Sequence, residues 1–202
     1  MVYFHGNAET IITAEPEAKL ISEKFGSMVV LVEYYGYYKS GSKKKDIEIS
    51  EICNDAERQV REIKSLFPEA EIILTGRSIG TGVAGYVVSK LSCSKLILIT
   101  PLAKINSEFF VPDDFKHIGV LFKNYSPEFF DNISVVKDLR VPILVIAAID
   151  DQILPIKHTH ALLKANPKIE VAYSNAGHND FSLTDDEIAD DVLKFMETGV
   201  LA

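Results

Sequence analysis

A serine between two glycines offers the clearest chemistry in this chain of 202 residues. The segment Gly76-Arg77-Ser78-Ile79-Gly80 has the G-x-S-x-G pattern. It follows a strand-like stretch, 71–74, and opens a helical pattern that runs to about residue 91, which is the context this motif requires. Glycines flank Ser78 because so tight a turn has no room for side chains there. The segment predicts a nucleophilic serine; a glycine-rich turn with an incidental serine is the alternative.

A serine hydroxyl is a weak nucleophile at neutral pH and needs an adjacent base. Of the five histidines, His178 is the best candidate, because its loop follows the last strand-like stretch and could bring the imidazole to Ser78. We expect His158 and His160, at the start of a helical pattern, to be surface or cap residues. His117 lies in an irregular stretch and is a weaker candidate for a pocket residue.

The base in turn needs a carboxylate that fixes its tautomer and stabilises the imidazolium. Two adjacent acids, Asp150 and Asp151, follow another strand-like stretch. Asp151 gives the chain order Ser78, Asp151, His178, the order found in α/β-hydrolase triads. Asp150 is the competitor, and because adjacent carboxylates repel each other we expect one of the two to point away.

Acyl transfer also requires two donors for the developing oxyanion. We expect one to be the backbone N–H of Ile79, directly after the nucleophile. The other is the backbone N–H of Asn7, in a loop that follows the first strand-like stretch. Gly6 lets this backbone approach a substrate closely, and His5 is predicted to brace the loop rather than to titrate in the reaction.

The elements that must position these residues alternate along the chain. Short apolar stretches rich in β-branched residues fit strands that are buried on both faces, as in a parallel sheet. Helical patterns separate them, and Thr184 to Glu187 resemble a capping box at the start of the last helix. The sequence therefore predicts one α/β domain over residues 1–202 with about six mostly parallel strands. These strands are expected at 1–4, 28–34, 71–74, 95–99, 142–148 and 169–173.

An irregular stretch at about 102–139 interrupts this alternation. It is either a lid or substrate wall, or an insertion packed on the surface. Its phenylalanines could line an apolar acyl pocket, although core packing is an equally good interpretation for most of them. They are Phe109, Phe110, Phe115, Phe122, Phe129 and Phe130.

Composition excludes several classes of function. A formal net charge of −8 argues against nucleic acid or an anionic membrane as a partner. The basic run 43–45 is followed by acids and is interpreted as a solvated loop. We find no transmembrane stretch or signal peptide, no metal-ligand cluster and no phosphate-binding loop, so we expect a cytoplasmic protein without metal or cofactor. Cys53 and Cys93 are interpreted as reduced thiols, with a disulfide as the minority alternative.

At this point the chain resembles the α/β-hydrolase superfamily over almost its whole length. Four segments match the family pattern in order: 3–7 (Tyr-Phe-His-Gly-Asn), 76–82, 151–155 and 177–180 (Gly-His-Asn-Asp). The loop 34–40 is similar to the family's Y-x-G-x-G-x-S segment, with Tyr38 in place of a glycine. The residues in these segments are similar to those of a subgroup of small intracellular hydrolases, some of which remove palmitoyl groups from protein cysteines. The resemblance implies esterase or thioesterase activity on an acylated or small-molecule substrate.

One departure from the family concerns the sheet. The family's sheet usually begins with two strands before the one that ends in the His-Gly loop, and we expect those two to be absent here. The resemblance then places 28–34 at an open edge of the sheet. Because such an edge invites pairing, we expect either a homodimer along it or a segment that covers it. A truncated sequence is the third alternative.

The sequence thus predicts a serine hydrolase that cleaves carboxylic ester or thioester bonds through an acyl-enzyme intermediate. A non-catalytic binding or scaffold protein on the same fold and a serine peptidase are the alternatives.

Overall fold

One parallel sheet organises the part of the chain that the computed structural model describes, residues 1–7, 9–37, 48–105 and 129–201. The strand order across the sheet is β2-β1-β3-β4-β5-β6, and every neighbouring pair is parallel. The carboxyl ends of all strands therefore lie at one edge, where the following loops meet. The strands are β1 (Val2–Phe4), β2 (Val30–Val32), β3 (Ile73–Arg77), β4 (Lys95–Ile99), β5 (Ile143–Ala148) and β6 (Glu170–Ser174).

Helices cover both faces of this sheet. One face packs against α2, α3, α4 and α5, and the other against α1 and α6. Successive strand residues alternate between these two cores, so that Leu74 lies on one side and Ile73 on the other. Burial on both sides explains why the strands are apolar without alternation. The helices are α1 (Ile11–Phe25), α2 (Ile49–Leu66), α3 (Gly80–Lys90), α4 (Asn132–Asp138), α5 (Lys157–Ala165) and α6 (Asp186–Thr198).

The predicted fold class and its six strands are confirmed. Helix α1 was not predicted, because Pro16 lies inside it. Its ends nevertheless carry strong signals: Thr10 and Thr13 form a capping box, and Gly26 ends the helix with a φ of 61°. The capping box predicted at Thr184 is wrong.

Helix α6 instead begins at Asp186 with Asp185 as its N-cap, and the Asp185 carboxylate accepts from the backbone N–H of Ser182. Glu187 bonds back to Ser174 and Asn175 at the end of β6. The acids of this turn therefore hold the loop before the helix.

The irregular stretch at 102–139 is described only at its two ends. Asn132, at the start of α4, donates its side-chain amide to the carbonyls of Thr81 and Leu102, which ties this helix to α3 and to the loop after β4. Whether a lid covers the site is a question for residues 106–128, outside the described residues. His117 and four of the phenylalanines lie there, and Tyr38 and the run 43–45 lie in a second such segment.

Strand β2 is at one edge of the described sheet, as the resemblance implied. Met28, just before it, is 53% exposed. Within the described ranges, no helix has both the length and the apolarity needed to cross a bilayer.

Candidate active site

The turn between β3 and α3 holds Ser78 in a strained conformation. Its φ is 54°, which a residue with a side chain rarely adopts, and its N–H donates to the Ile99 carbonyl at 2.9 Å. A Cβ on Gly76 would collide with the backbone of Gly80, and a Cβ on Gly80 would collide with the carbonyl of Phe4. Both glycines are therefore required for this turn to pack against β1.

Three side chains that are distant in sequence converge above this turn. His178 Nε2 lies 2.9 Å from Ser78 Oγ, and His178 Nδ1 lies 2.6 Å from Asp151 Oδ2. The other carboxylate oxygen of Asp151 accepts from the backbone N–H groups of Ile153 and Leu154, each at 2.8 Å. Asp151 and His178 are only 5% and 7% exposed. In this geometry Nδ1–H donates to the carboxylate, so that Nε2 is left to accept the serine proton.

The two adjacent acids are directed differently. Asp151 contacts the imidazole, whereas Asp150 is exposed. The backbone N–H of Asp150 donates to the carbonyl of Ala176, just before the loop of His178. Asp150 thus joins the ends of β5 and β6 through its main chain.

The loop after β1 is braced through His5, which is fully buried. Its Nδ1 lies 2.8 Å from the Gly6 carbonyl oxygen, and its Nε2 lies 3.1 Å from Glu33 Oε1. The Tyr34 hydroxyl donates to the His5 carbonyl at 2.6 Å, and the backbone N–H of Ile11 donates to Glu33. Sequence reasoning did not identify Glu33 and Tyr34; their place at the end of β2, beside the loop after β1, was the available signal.

The expected oxyanion donors are both near Ser78: Ile79 follows it directly in the chain, and Asn7 lines the same cavity. The Asn7 side chain accepts from the Tyr37 hydroxyl at 2.7 Å, and the Gly6 N–H donates to the Glu9 carboxylate at 2.5 Å. Neither the Asn7 N–H nor the Ile79 N–H donates to an acceptor among the described residues. Ile79 is also the N-cap of α3, where the helix dipole favours negative charge.

A cavity of about 400 Å³ opens beside Ser78 and His178. Neither Phe129 nor Phe130 lines it. Phe130 packs against Gly82 in α3, and the Phe129 ring stacks on Tyr86 at 5.3 Å, so these two phenylalanines belong to the core. The described wall is more polar than an acyl pocket of phenylalanines would be. It is formed by Gly6, Asn7, Glu9, Glu17, Arg77, Ser78, Ile153, His178, Asn179 and Phe181.

Two charged residues of this wall, which the sequence did not single out, hold the loop after β6. The Arg77 guanidinium donates to the carbonyls of His178 and Phe181. The Glu17 carboxylate, from α1, accepts from the Ser182 hydroxyl at 2.9 Å and from the Leu183 N–H at 3.1 Å. Both contacts join segments more than 100 residues apart, so local sequence carries no signal for them.

The expectation that His158 is a surface or cap residue is wrong. Only 1% of it is exposed, and its Nδ1 accepts from the backbone N–H of Ala103 at 3.1 Å. Burial, together with the charge of Lys157, lowers the pKa of His158 to about 4, against an opposing effect of Asp151. His160 is exposed, as expected.

Among the described residues, no group of three or more His, Cys, Asp or Glu side chains is placed so that it could hold a metal ion. Cys53 is buried and Cys93 is half-buried, both as free thiols. Burial raises the pKa of each thiol, for Cys93 to about 11.

Solved structures share this arrangement of sheet and helices. A carboxylesterase from Nitrososphaera gargenis superposes with a TM-score of 0.70 at 14% identity, covering 98% of this chain and 89% of that one. A propionate-bound esterase from Thermogutta terrifontis gives 0.66 at 15% identity, covering 97% and 80%. The chain has the α/β-hydrolase fold. The fold that the motif resemblance implied is thereby confirmed.

The curated sequence relatives carry an alpha/beta hydrolase domain in their names. Alpha/beta hydrolase domain-containing protein 17C is 26% identical over 185 residues, both in mouse and in human. Protein 17B from Xenopus laevis is 24% identical over the same length. The match covers 91% of this chain but only 55% of the mouse protein, so the chain spans little more than half the length of these curated relatives. No family model matches the chain.

Proposed function

We propose that this chain is a serine hydrolase that cleaves carboxylic ester or thioester bonds through an acyl-enzyme intermediate. The observation that carries the proposal is the hydrogen-bonded series from Ser78 through His178 to Asp151, with distances of 2.9 and 2.6 Å. The named esterases among the structural neighbours support it as analogy. The cavity beside Ser78 offers a place for the scissile bond.

The proposed reaction has two steps. His178 Nε2 removes the proton of Ser78 as Oγ attacks the carbonyl carbon, and the Asp151 carboxylate stabilises the imidazolium that forms. The imidazolium then donates this proton to the departing alcohol or thiol. Water, deprotonated by His178, attacks the acyl-enzyme and releases the acid.

The negative charge of each tetrahedral intermediate requires donors that are already in place. The N–H groups of Asn7 and Ile79 are proposed for this role because Ile79 follows Ser78 directly, Asn7 lines the same cavity, and neither N–H has an acceptor among the described residues. Loss of one such donor typically raises the barrier by about 3 kcal/mol. The hydrogen bond from Tyr37 to Asn7 and the bonds around His5 hold the first donor rigidly, which is what preorganisation requires.

A fluorophosphonate probe tests the nucleophile directly. We expect the purified protein to be labelled and Ser78→Ala to lose all labelling. The absence of labelling in folded wild-type protein would favour the scaffold alternative.

The adjacent acids provide a matched pair for the second step of the test. Asp151→Asn should lower kcat on p-nitrophenyl acetate by about 10⁴-fold, because the imidazole would then be held in the wrong tautomer. Asp150→Asn, one residue away and exposed, should leave kcat within about threefold of wild type. Equal effects of the two substitutions would contradict the assignment of Asp151.

The substrate class is tested with graded substrates. We propose p-nitrophenyl esters and acyl thioesters of increasing chain length, together with aminoacyl anilides to test the peptidase alternative. The described wall has only two large apolar side chains, Ile153 and Phe181, which leads us to expect the highest kcat/KM for short acyl groups. A preference for long chains would contradict this expectation.

A further inference from the structure

Arg77 occupies an unusual position between the strand that presents the nucleophile and the loop that presents the base. It is the residue directly before Ser78, and it is only 7% exposed. One terminal nitrogen donates to the Phe181 carbonyl at 3.2 Å, and the other donates to that carbonyl and to the carbonyl of His178 at 3.3 Å. The residue before Ser78 is thus hydrogen-bonded to the main chain of His178.

Because the Arg77 guanidinium is buried, Arg77 and the loop after β6 stabilise each other. A buried guanidinium must have acceptors, since an unsatisfied buried charge is strongly destabilising. No carboxylate among the described residues lies within ion-pair distance of Arg77, and its guanidinium donates to two carbonyls of the loop after β6. Its charge also lies 5.1 Å from the centre of the Phe181 ring. The loop carbonyls therefore solvate the arginine, and the arginine fixes the loop.

The loop needs such a fixed point because its middle is open to solvent. Asn179 and Asp180 are exposed, whereas His178 and Phe181, on either side of them, are buried. Beyond Phe181, Glu17 holds Ser182 and Leu183. Tyr3 of β1 also interacts with Arg77: burial raises the pKa of Tyr3, and Arg77 opposes this rise by its charge and a hydrogen bond.

We propose that Arg77 is a positioning residue for the base: it sets the distance between the His178 imidazole and the Ser78 hydroxyl by holding the main chain of His178. This inference rests on the proposed serine hydrolase function. Because Arg77 lies next to Ser78 in the chain, any movement of the turn is transmitted to both partners together. A misplacement of about 1 Å between reacting groups can cost on the order of 100-fold in rate.

The test compares Arg77→Met, which keeps the length of the side chain but removes its donors, with Arg77→Lys. Arg58→Met is the matched control, because Arg58 is an exposed arginine on α2. With p-nitrophenyl acetate we expect Arg77→Met to lower kcat by on the order of 100-fold while KM changes by less than about threefold. Arg77→Lys should recover part of this loss, since an ammonium can reach one of the two carbonyls.

A second readout does not depend on activity. Hydrogen exchange of the amides in 177–183 should be faster in Arg77→Met than in wild type and unchanged in Arg58→Met. If Arg77→Met does not fold, Arg77→Gln takes its place in both measurements. An unchanged kcat in a folded variant would overturn the proposal.

A rise in KM with kcat unchanged would also overturn it, because Arg77 lines the cavity and would then be a substrate-binding residue. Failure of the proposed function has a different signature. Wild-type protein without turnover that depends on Ser78 contradicts the hydrolase assignment. In that case hydrogen exchange alone decides whether Arg77 holds the loop, and an unchanged rate would refute it.

Discussion

Three histidines in the described structure have different roles, and the atoms around each imidazole determine its role. His178 has a carboxylate on one ring nitrogen and a hydroxyl on the other, which is the environment of a proton carrier. His5 has a main-chain carbonyl and Glu33 as partners and serves as a brace. His158 is buried, accepts from a backbone N–H and has a pKa of about 4, so it is neutral at physiological pH.

The depressed pKa of His158 predicts a specific pH dependence of stability. Its ordinary pKa is 6.5, so between pH 6.5 and about 4 the unfolded chain binds a proton that the folded chain excludes. Stability from this residue is complete above pH 6.5 and falls as the pH is lowered. At pH 5 the loss should be about 2 kcal/mol.

Urea unfolding at pH 7 and pH 5 measures this effect. His158→Gln should show a smaller loss between the two pH values than wild type, because glutamine does not titrate. The exposed His160→Gln is the control and should behave as wild type. If His158→Gln and wild type lose the same stability, protonation of His158 is not coupled to unfolding.

At the scale of elements, the turn between β3 and α3 depends on how closely it approaches β1. The main chain at Gly80 touches the carbonyls of Phe4 and His5, where an added Cβ would overlap backbone atoms that cannot move independently. At Gly6 an added Cβ would instead meet the carboxylate end of the Glu9 side chain, at 2.9 Å. The first clash involves two rigid elements and the second a flexible side chain.

This contrast predicts different costs for one added methyl group. Gly80→Ala should lower the free energy of unfolding by about 2–3 kcal/mol, because β1 must separate from the turn. Gly6→Ala should cost only about 1 kcal/mol, since the Glu9 side chain can rotate away and the loss is one hydrogen bond from the Gly6 N–H. Chemical denaturation of both variants measures the difference. Similar costs at the two positions would mean that the turn can shift as a unit.

How much of these elements the sequence predicts depends on whether the signal is local. Apolar stretches gave all six strands, because a strand covered on both faces cannot alternate. Helix α1 was not predicted because Pro16 lies inside it, although its capping residues are a clear sequence signal. His158 was misjudged because its burial depends on Ala103, far away in the chain.

The site follows the same rule. Motif context and chain order were enough to select Ser78, Asp151 and His178, and the structure brings them together. The contacts of Arg77 and Glu17 could not be predicted, because their partners lie in a loop more than 100 residues away. Long-range contacts of this kind require the folded topology.

At the scale of the whole molecule, the described sheet has two edge strands, β2 and β6, and β2 is the one for which the sequence predicted pairing. Strand β2 is at the edge, and Met28 beside it is 53% exposed. Unpaired strand edges offer hydrogen bonds to other chains. The two alternatives expected from the sequence, a homodimer along this edge or a segment that covers it, therefore both remain predictions.

Sedimentation velocity tests this prediction. Wild-type protein should sediment as a dimer at high concentration, and Met28→Lys should shift it towards monomer, because a lysine at the edge opposes pairing. Leu66→Lys is the control, since Leu66 is 67% exposed on α2 and is not part of the edge. Monomeric wild-type protein at all concentrations would rule out pairing of isolated chains along β2.

The order of Ser78 and His178 along the chain also determines when the proposed site is completed during synthesis. Ser78 leaves the ribosome 100 residues before His178, and β6 must add to the sheet before that histidine reaches it. A nascent chain that has folded only its first half thus presents a serine without a base. Under the proposed function, the serine gains its base only when the last strand has docked, so hydrolytic competence follows the completion of the sheet.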